Sequence, residues 1–333
     1  MKISVLSISS GGNRLAAKIA GALGGDAFCP SGRTTLESLR QAFATADAMV
    51  CIMSAGIVVR AIGPLCRDKQ SDPSVVVLDE AGRHVVSLLS GHLGGGNDLA
   101  RRVAAITGGQ AVITTASDVL GLTPIDLWVE NNGFTVRSER RKMTETAARL
   151  VNEGKIRIFC HGDCEGLPAD FLPVDNPVEA DIILSWRETL SPDGLCLLPH
   201  NLFIGIGCNR GTPLAEIDAA VKETMLRHDL HRDAVVGLAT IDAKIDEGAL
   251  LACARQDKLP LHFFSKERLN EVTGLEASPQ VIAAVGAGGV AEPAAMLAAA
   301  GWDGEPGQLI VKKIKWKNVT TAVAARKIAC MDL

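Results

Sequence analysis

Between residues 48 and 97 three short apolar runs each give way to small or charged residues, and that pattern restricts what the chain can become. The runs are Ala48–Met53, Val75–Leu78 and Val85–Leu89. They exit into Ser54-Ala55-Gly56, Asp79-Glu80 and Ser90-Gly91-His92-Leu93-Gly94-Gly95-Gly96-Asn97. Such runs read as buried strands. A core strand needs neither a histidine nor an asparagine beside three glycines at its exit. Glycine there lets backbone N–H groups approach a ligand, and a following helix aims its N-terminus at the same spot.

The alternation extends in both directions. Ile3–Ile8 and Ala111–Thr115 read as strands, and Leu15, Ile19 and Leu23, like Leu99, Val103 and Ile106, fall at helical spacing. This predicts α/β layers around a largely parallel sheet. Asp79–Arg83 reads as a hairpin turn, so the sheet is expected to be mixed. Residues 1–120 are therefore expected to form an N-terminal mixed-sheet α/β domain. Residues 121–200, with helix-like Arg141–Glu153, strand-like Ile156–Cys160 and Ile182–Ser185, and several prolines, read as a small α/β linker domain. Residues 201–333 read as a C-terminal α/β domain, and no convincing internal repeat is found.

Composition narrows the function. A net charge of −4 argues against a broad nucleic-acid face. Nothing approaches the roughly 18 consecutive apolar residues of a membrane span, and Met1–Ile8 reads as a first strand rather than a secretory signal. Nine scattered cysteines, some inside apolar runs (Cys51, Cys253), suggest reduced thiols and a cytoplasmic setting. The absence of tyrosine rules out a tyrosine general acid, and 4% aromatics argue against a stacking cage. A flat ligand would be held by aliphatic side chains, amides and Arg or Lys. Lys312-Lys313-Ile314-Lys315-Trp316-Lys317 is either an edge strand guarded by lysine or a docking surface for a small polyanion.

Several clusters invite chemistry. Gly205-x-Gly207-x-x-Arg210-Gly211 is expected to make a tight strand–loop–helix turn that binds an acidic group through amides and Arg210. It lacks the acidic residue of a dinucleotide fingerprint about 20 residues on. His92 titrates near neutrality and is a candidate base or electrophile, although a lone histidine is often structural. Asp68-Lys69-x-x-Asp72-Pro73 gathers charges in a loop that is otherwise a solvated turn. Thr240-Ile241-Asp242-Ala243-Lys244 follows a strand with its polar groups alternating. Cys160-His161-Gly162-Asp163-Cys164 hints at metal, but a structural zinc normally needs four ligands. No Walker A sequence is present.

Taken in order, many of these segments resemble the cobalt-precorrin-5A hydrolase family of anaerobic cobalamin biosynthesis. The stretches are SAGIVVRAIGPL (54–65), DKQSDPSVVVLDE (68–80), SLLSGHLGGGNDL (87–99), VITTASDV (112–119), IGIGCNRG (204–211), ATIDAKID (239–246), Phe263–Ser265, GVAEP (289–293) and KKIKWKNVT (312–320). They span roughly residues 1–331, with 121–199 the least specific. Asn209 departs from the Arg or Lys frequent in the family.

The resemblance implies a cobalt corrinoid substrate bearing a δ-lactone on a ring-A acetate. Water opens the lactone, and the carbon linking rings A and D leaves as acetaldehyde. The substrate's acetates and propionates call for Arg and Lys, and its own cobalt implies that the protein needs no cofactor or metal site. Residue roles are assigned from chemistry alone. His92 is expected as general base, with Lys69, Asp68 and Asn97 beside it, and Lys69 or the amides near Gly94, Gly95 and Gly96 as oxyanion donors. Arg60, Gly207, Arg210, Gly211, Asp242, Lys244, Glu292 and Lys312 are expected to contact substrate. A corrinoid carrier without turnover is the rival reading. No membrane or nucleic-acid partner is expected, and a homodimer is allowed.

Overall fold

The apolar runs of the first third pair into one sheet because each is apolar on both of its faces. The computed structural model describes residues 1–28, 34–68, 71–92, 94–189, 193–302 and 304–331, and the chain divides into two compact units, Met1–Leu127 and Trp128–Leu333. In the first unit the elements are β1 (Ile3–Ser7), α1 (Ser10–Leu23), β2 (Asp26–Phe28), α2 (Thr35–Thr45), β3 (Ala48–Ile52), α3 (Ala55–Ile62), β4 (Ser74–Leu78), β5 (His84–Leu89), α4 (Gly96–Thr107), β6 (Gln110–Val112) and α5 (Ala116–Leu120), with α6 (Ile125–Asn131) beginning at its end. Among the described residues they give a six-stranded sheet in the order β2-β1-β3-β4-β5-β6. Alternate β3 residues serve two cores. Ala48, Val50 and Ile52 pack with Ile19, Leu99 and Val103 from α1 and α4. Met49 and Cys51 pack with Leu39, Phe43 and Val58 from α2 and α3. A sheet covered on both faces reads as continuous apolar runs.

β1 to β4 are parallel, and the turn after β4 reverses the chain. Asp79 locks that turn: its Oδ1 accepts from the Ala81 N–H at 2.9 Å and its Oδ2 from the His84 N–H at 2.7 Å. Gly82 takes φ +69°, which suits glycine. The expected mixed sheet and hairpin are therefore present.

The second unit holds two five-stranded sheets among the described residues. The first comprises β7 (Thr135–Val136), β8 (Ile156–Cys160), β10 (Phe171–Pro173), β11 (Ile182–Leu184) and β12 (Leu195–Leu198), ordered β10-β8-β11-β12-β7; α7 (Arg140–Glu153) packs on it, and β9 (Cys164–Glu165) stands outside. The other is built from β13 (Leu202–Cys208), α8 (Leu214–Arg227), β14 (Val235–Ile241), α9 (Gly248–Asp257), β15 (Leu261–Phe264), α10 (Lys266–Glu271), α11 (Pro279–Val285), α12 (Ala291–Ala298), β16 (Gln308–Lys315) and β17 (Val319–Ala325), with strands ordered β15-β14-β13-β17-β16. A last short strand, β18 (Ile328–Ala329), pairs with β9. α8 and α9 bury Ile217, Val221 and Leu250 on one face of the second sheet, and α12 buries Ala294, Ala295 and Ala298 on the other. Among the described residues no helix is long and apolar enough to cross a membrane.

The Gly205-x-Gly207 spacing differs from its expected role. Both glycines lie inside β13, not in the turn after it. A Cβ on Gly205 would stand 1.8 Å from the Ala291 carbonyl oxygen, so the glycine exists to let α12 lie against the strand. Gly205→Ala is expected to cost at least about 2 kcal/mol, since the obstacle is backbone that cannot yield. Gly248→Ala, at the exposed first position of α9 with nothing within 4 Å of the new methyl, should stay within about 0.5 kcal/mol. Paired urea melts check both, and equal melting midpoints would sink the packing argument.

Candidate functional site

Because β5 and β6 run against β4, their exit loops lie at the end of the sheet where β4 begins; Leu89 pairs with Val75 there. The Ser90 hydroxyl donates to the Asp72 carbonyl at 3.0 Å, which joins the loop entering β4 to the loop leaving β5. Ser90 takes φ +53°, a left-handed conformation that costs a non-glycine residue about 1–3 kcal/mol. The chain then folds back on itself. Gly96 N–H donates to the Ser90 carbonyl (3.0 Å), Asn97 N–H to the Gly91 carbonyl (2.9 Å) and Gly95 N–H to the His92 carbonyl (2.7 Å). A Cβ on Gly94 would meet Ser90 Cβ at 2.5 Å, and one on Gly96 would meet the Leu89 carbonyl at 2.9 Å. The glycines are thus needed for the loop to close. Of the amides near Gly94, Gly95 and Gly96 expected to face an oxyanion, those of Gly95 and Gly96 are donated within the loop, as is that of Asn97.

Closing the loop places His92 between two carboxylates. Its Nε2 lies 3.0 Å from Asp118 Oδ2 and its Nδ1 lies 3.3 Å from Asp126 Oδ1, with the Ser117 hydroxyl 3.2 Å from Nε2. The three side chains are 18%, 14% and 14% exposed. Asn97, almost fully buried, donates from Nδ2 to Asp118 Oδ2 (2.9 Å) and to Thr115 Oγ1 (3.1 Å). Arg101 donates to Asp118 Oδ1 at 2.5 Å. Asp118 is therefore the point on which histidine, asparagine and arginine converge. The hydrogen bond to Asp126 lifts the His92 imidazole above its ordinary value, against the opposing effect of burial, and Asp118 adds to the lift. A base needs a free lone pair, whereas a doubly flanked imidazolium has two N–H donors. Both ring nitrogens of His92 are thus directed at carboxylates, an arrangement that favours its protonated form.

Asp118 and Asp126 did not emerge as candidates from the sequence. Asp118 sits just after β6 in the polar tail of the 112–119 stretch, a signal that could have found it. Asp126 opens α6 within the segment read as a linker.

Other candidates are dispersed. The Asp68 amide donates to Asp72 Oδ2 at 3.1 Å, which keeps that loop beside Ser90, while Lys69 lies outside the described residues. Exposed Arg60 donates to the Gly56 carbonyl on its own helix. In the second unit Arg210 pairs with Asp246 at 2.9 Å, and Gly211 N–H donates to Glu247 Oε1 at 3.0 Å, so the C-terminal end of the Cys208–Gly211 turn is braced to the segment after β14. Lys244, 9% exposed, lies 3.4 Å from Glu247 Oε2. Asp242 is exposed in the short turn following β14. Buried Glu292 accepts from the Lys313 N–H at 3.0 Å. Gly207 and Lys244 line an open cleft that Arg210, Gly211, Asp242, Glu292 and Lys312 do not. Cys164 Sγ lies 3.6 Å from Cys330 Sγ, and hydrogen bonds from Cys160 and Cys330 bring the Cys164 thiol down to about 4. Among the described residues no group of three or more His, Cys, Asp or Glu side chains is arranged to hold a metal ion.

Residues 37–118 match the family model "Cobalamin synthesis G N-terminal", and residues 202–324 match "Cobalamin synthesis G C-terminus". A cobalt-precorrin-5A hydrolase of Priestia megaterium is 36% identical over 317 residues, covering 89% of this chain and 82% of that protein. Another, from Salmonella typhimurium, is 32% identical over 311 residues, covering 89% and 86%. A solved cobalamin biosynthesis protein G homologue from Sulfolobus solfataricus is 21% identical with a TM-score of 0.38, covering 98% of this chain and 97% of its own. With identity above 30% maintained across more than four fifths of two full-length relatives, this chain belongs to the cobalt-precorrin-5A hydrolase family.

Proposed function

We infer that this chain opens the δ-lactone of cobalt-precorrin-5A and releases the carbon between rings A and D as acetaldehyde, giving cobalt-precorrin-5B. The observation that carries the reading is the 36% identity sustained over 317 residues with a relative named for that hydrolysis. The substrate brings its own cobalt, so the reaction is expected to need no added cofactor. Among the described residues eight of the nine cysteines are free thiols, which suits a reducing cytoplasm.

The His92 cluster gives the chemistry a proton donor. Water adds to the lactone carbonyl with loss of one proton to the solvent, the tetrahedral intermediate collapses, and the ring oxygen departs as an alkoxide on the linking carbon. His92, cationic between Asp118 and Asp126, exchanges one carboxylate bond for substrate and protonates that oxygen. Left neutral, it can take the same proton back. The oxygen's returning charge then breaks the C–C bond, acetaldehyde leaves, and the electron pair passes into the conjugated macrocycle. One imidazole thus serves first as acid and then as base. Such proton transfer typically contributes ~10²–10⁴-fold. Asp118 acts on the positioning side, since Asn97 and Arg101 hold both its oxygens.

Anaerobic incubation with cobalt-precorrin-5A should release acetaldehyde one-to-one with opened corrinoid, without nucleotide and in the presence of a chelator that leaves the corrin cobalt in place. Tight binding with no acetaldehyde would overturn the hydrolase reading in favour of a carrier.

His92→Gln should lower kcat at least about 100-fold while substrate binding changes a few-fold at most, because proton transfer is felt in the transition state. Activity that depends on cationic His92 should fall as pH rises through its raised pKa. Asp126→Asn removes the largest cause of that rise and should move the fall toward lower pH. The stability linkage has the same sign. The cation's contribution is full below the ordinary histidine value of about 6.5 and is lost as pH rises through the folded value. Melts of wild type and His92→Gln should therefore differ most in mild acid and converge in mild alkali. An unmoved pH profile in Asp126→Asn would separate His92 titration from catalysis.

A further inference from the structure

The carboxyl ends of β13 and β14 open into a cleft of about 370 Å³ in the second unit. Crevices at the carboxyl ends of parallel strands are where open α/β sheets bind ligands. One wall is apolar, with Val281 and Val285 from α11 and Val290 before α12. The facing side carries Lys313 and Lys315 from β16 and Lys317 from the turn after it, with Lys244 at the base. Among the described residues lining the cleft there is no aspartate or glutamate. Lys244 has Glu247 behind it, but Lys313, Lys315 and Lys317 enter no ion pair among the described residues. In a chain of net charge −4 such a one-signed cavity is not what composition alone would produce.

The end of β16 and the turn after it bring the lysines to the cleft. Glu292, buried at the start of α12, accepts from the Lys313 N–H and ties this part of β16 to the helix. Lys313 and Lys315, two apart near the end of the strand, and Lys317 from the turn line the cleft, whereas exposed Lys312 falls outside it. Gly207 is needed beside them, since a Cβ there would sit 2.6 Å from Thr320 Oγ1. Trp316 stands between the lysines with Arg227 over its ring at 4.7 Å, which holds the turn at the cleft's rim.

We propose that this cleft grips one edge of a polycarboxylate corrinoid, with Lys313, Lys315 and Lys317 on two or three acetate or propionate arms and the valine wall against the macrocycle's apolar rim. The proposal rests on the hydrolase reading for its ligand class. The volume is at the small end of ligand pockets, about 300–1,000 Å³, so it takes an edge and not a whole tetrapyrrole.

The test uses cobyrinic acid, a stable cobalt corrinoid with free carboxylates, and its permethyl ester as the neutral counterpart. Wild-type protein should bind the acid in a salt-sensitive manner and the ester at least about tenfold more weakly. The combined Lys313→Gln, Lys315→Gln, Lys317→Gln variant should lose at least about tenfold in affinity for the acid, change little toward the ester and show a flatter salt dependence. Lys312→Gln, which removes one charge outside the cleft, should shift Kd less than about twofold. In the acetaldehyde assay the triple variant should raise KM more than it lowers kcat. A folded triple variant with wild-type Kd and KM, or ester binding as tight as acid binding, would falsify the cleft assignment and leave the hydrolase reading standing. Lysine-dependent binding by a wild-type protein that releases no acetaldehyde would do the reverse.

Discussion

The reversal between β4 and β5 is the constraint on which the first unit's chemistry depends. A wholly parallel sheet would send the loop after β5 to the end where β1, β3 and β4 finish. The Asp79-locked turn sends it to the opposite end, beside the loop that enters β4 and the loop that leaves β6. Ser90 then meets Asp72, while His92 and Asn97 meet Thr115, Ser117 and Asp118. The short strands bring no chemistry themselves. They fix direction, and direction decides which loops meet.

The glycine-rich loop shows how the same residues serve closure and not ligand binding. Three glycines in a row suggest amides offered to an anion. Here the amides of Gly95, Gly96 and Asn97 go to carbonyls of the same loop, those of His92, Ser90 and Gly91. A buried N–H left without a partner would cost about 1–3 kcal/mol, so the loop satisfies itself first. The result is a rigid platform that presents one imidazole at a fixed position.

Much of the fold was legible in the sequence, and the reasons differ by element. The apolar runs at 48–53, 75–78 and 85–89 could be read as strands because both faces are covered. α4 was legible from Leu99 and Val103, and the hairpin from Asp79 and Gly82. The site was less legible. His92 and Asn97 stood out through the residues around them, but Asp126 lies 34 positions from His92 and is joined to it only by the fold. Gly205 and Gly207 mimicked a turn because sequence shows that a glycine is required, not whether φ or a neighbouring backbone requires it. A run of lysines shows charge but not which of its residues line the cleft; in the fold Lys313, Lys315 and Lys317 do and Lys312 does not.

Charge is used differently in the two units. Around His92 two carboxylates face Arg101 and an imidazole whose protonated form they favour, and the cluster is joined by contacts of 2.5–3.3 Å. The lysine face on β16 is uncompensated and acts as a local field. The chain's overall negative charge does not defeat it, because exposed charges beyond about 8–10 Å are largely screened at physiological salt. A ligand with many carboxylates therefore responds to the nearest three lysines more than to the net charge of the whole protein. Proton transfer needs a neutralised, rigid cluster whose pKa is set by contact, whereas recognition of a polyanion needs excess charge of one sign. The two requirements conflict within a single group of side chains, and under the proposed roles they fall to different side chains on different sheets.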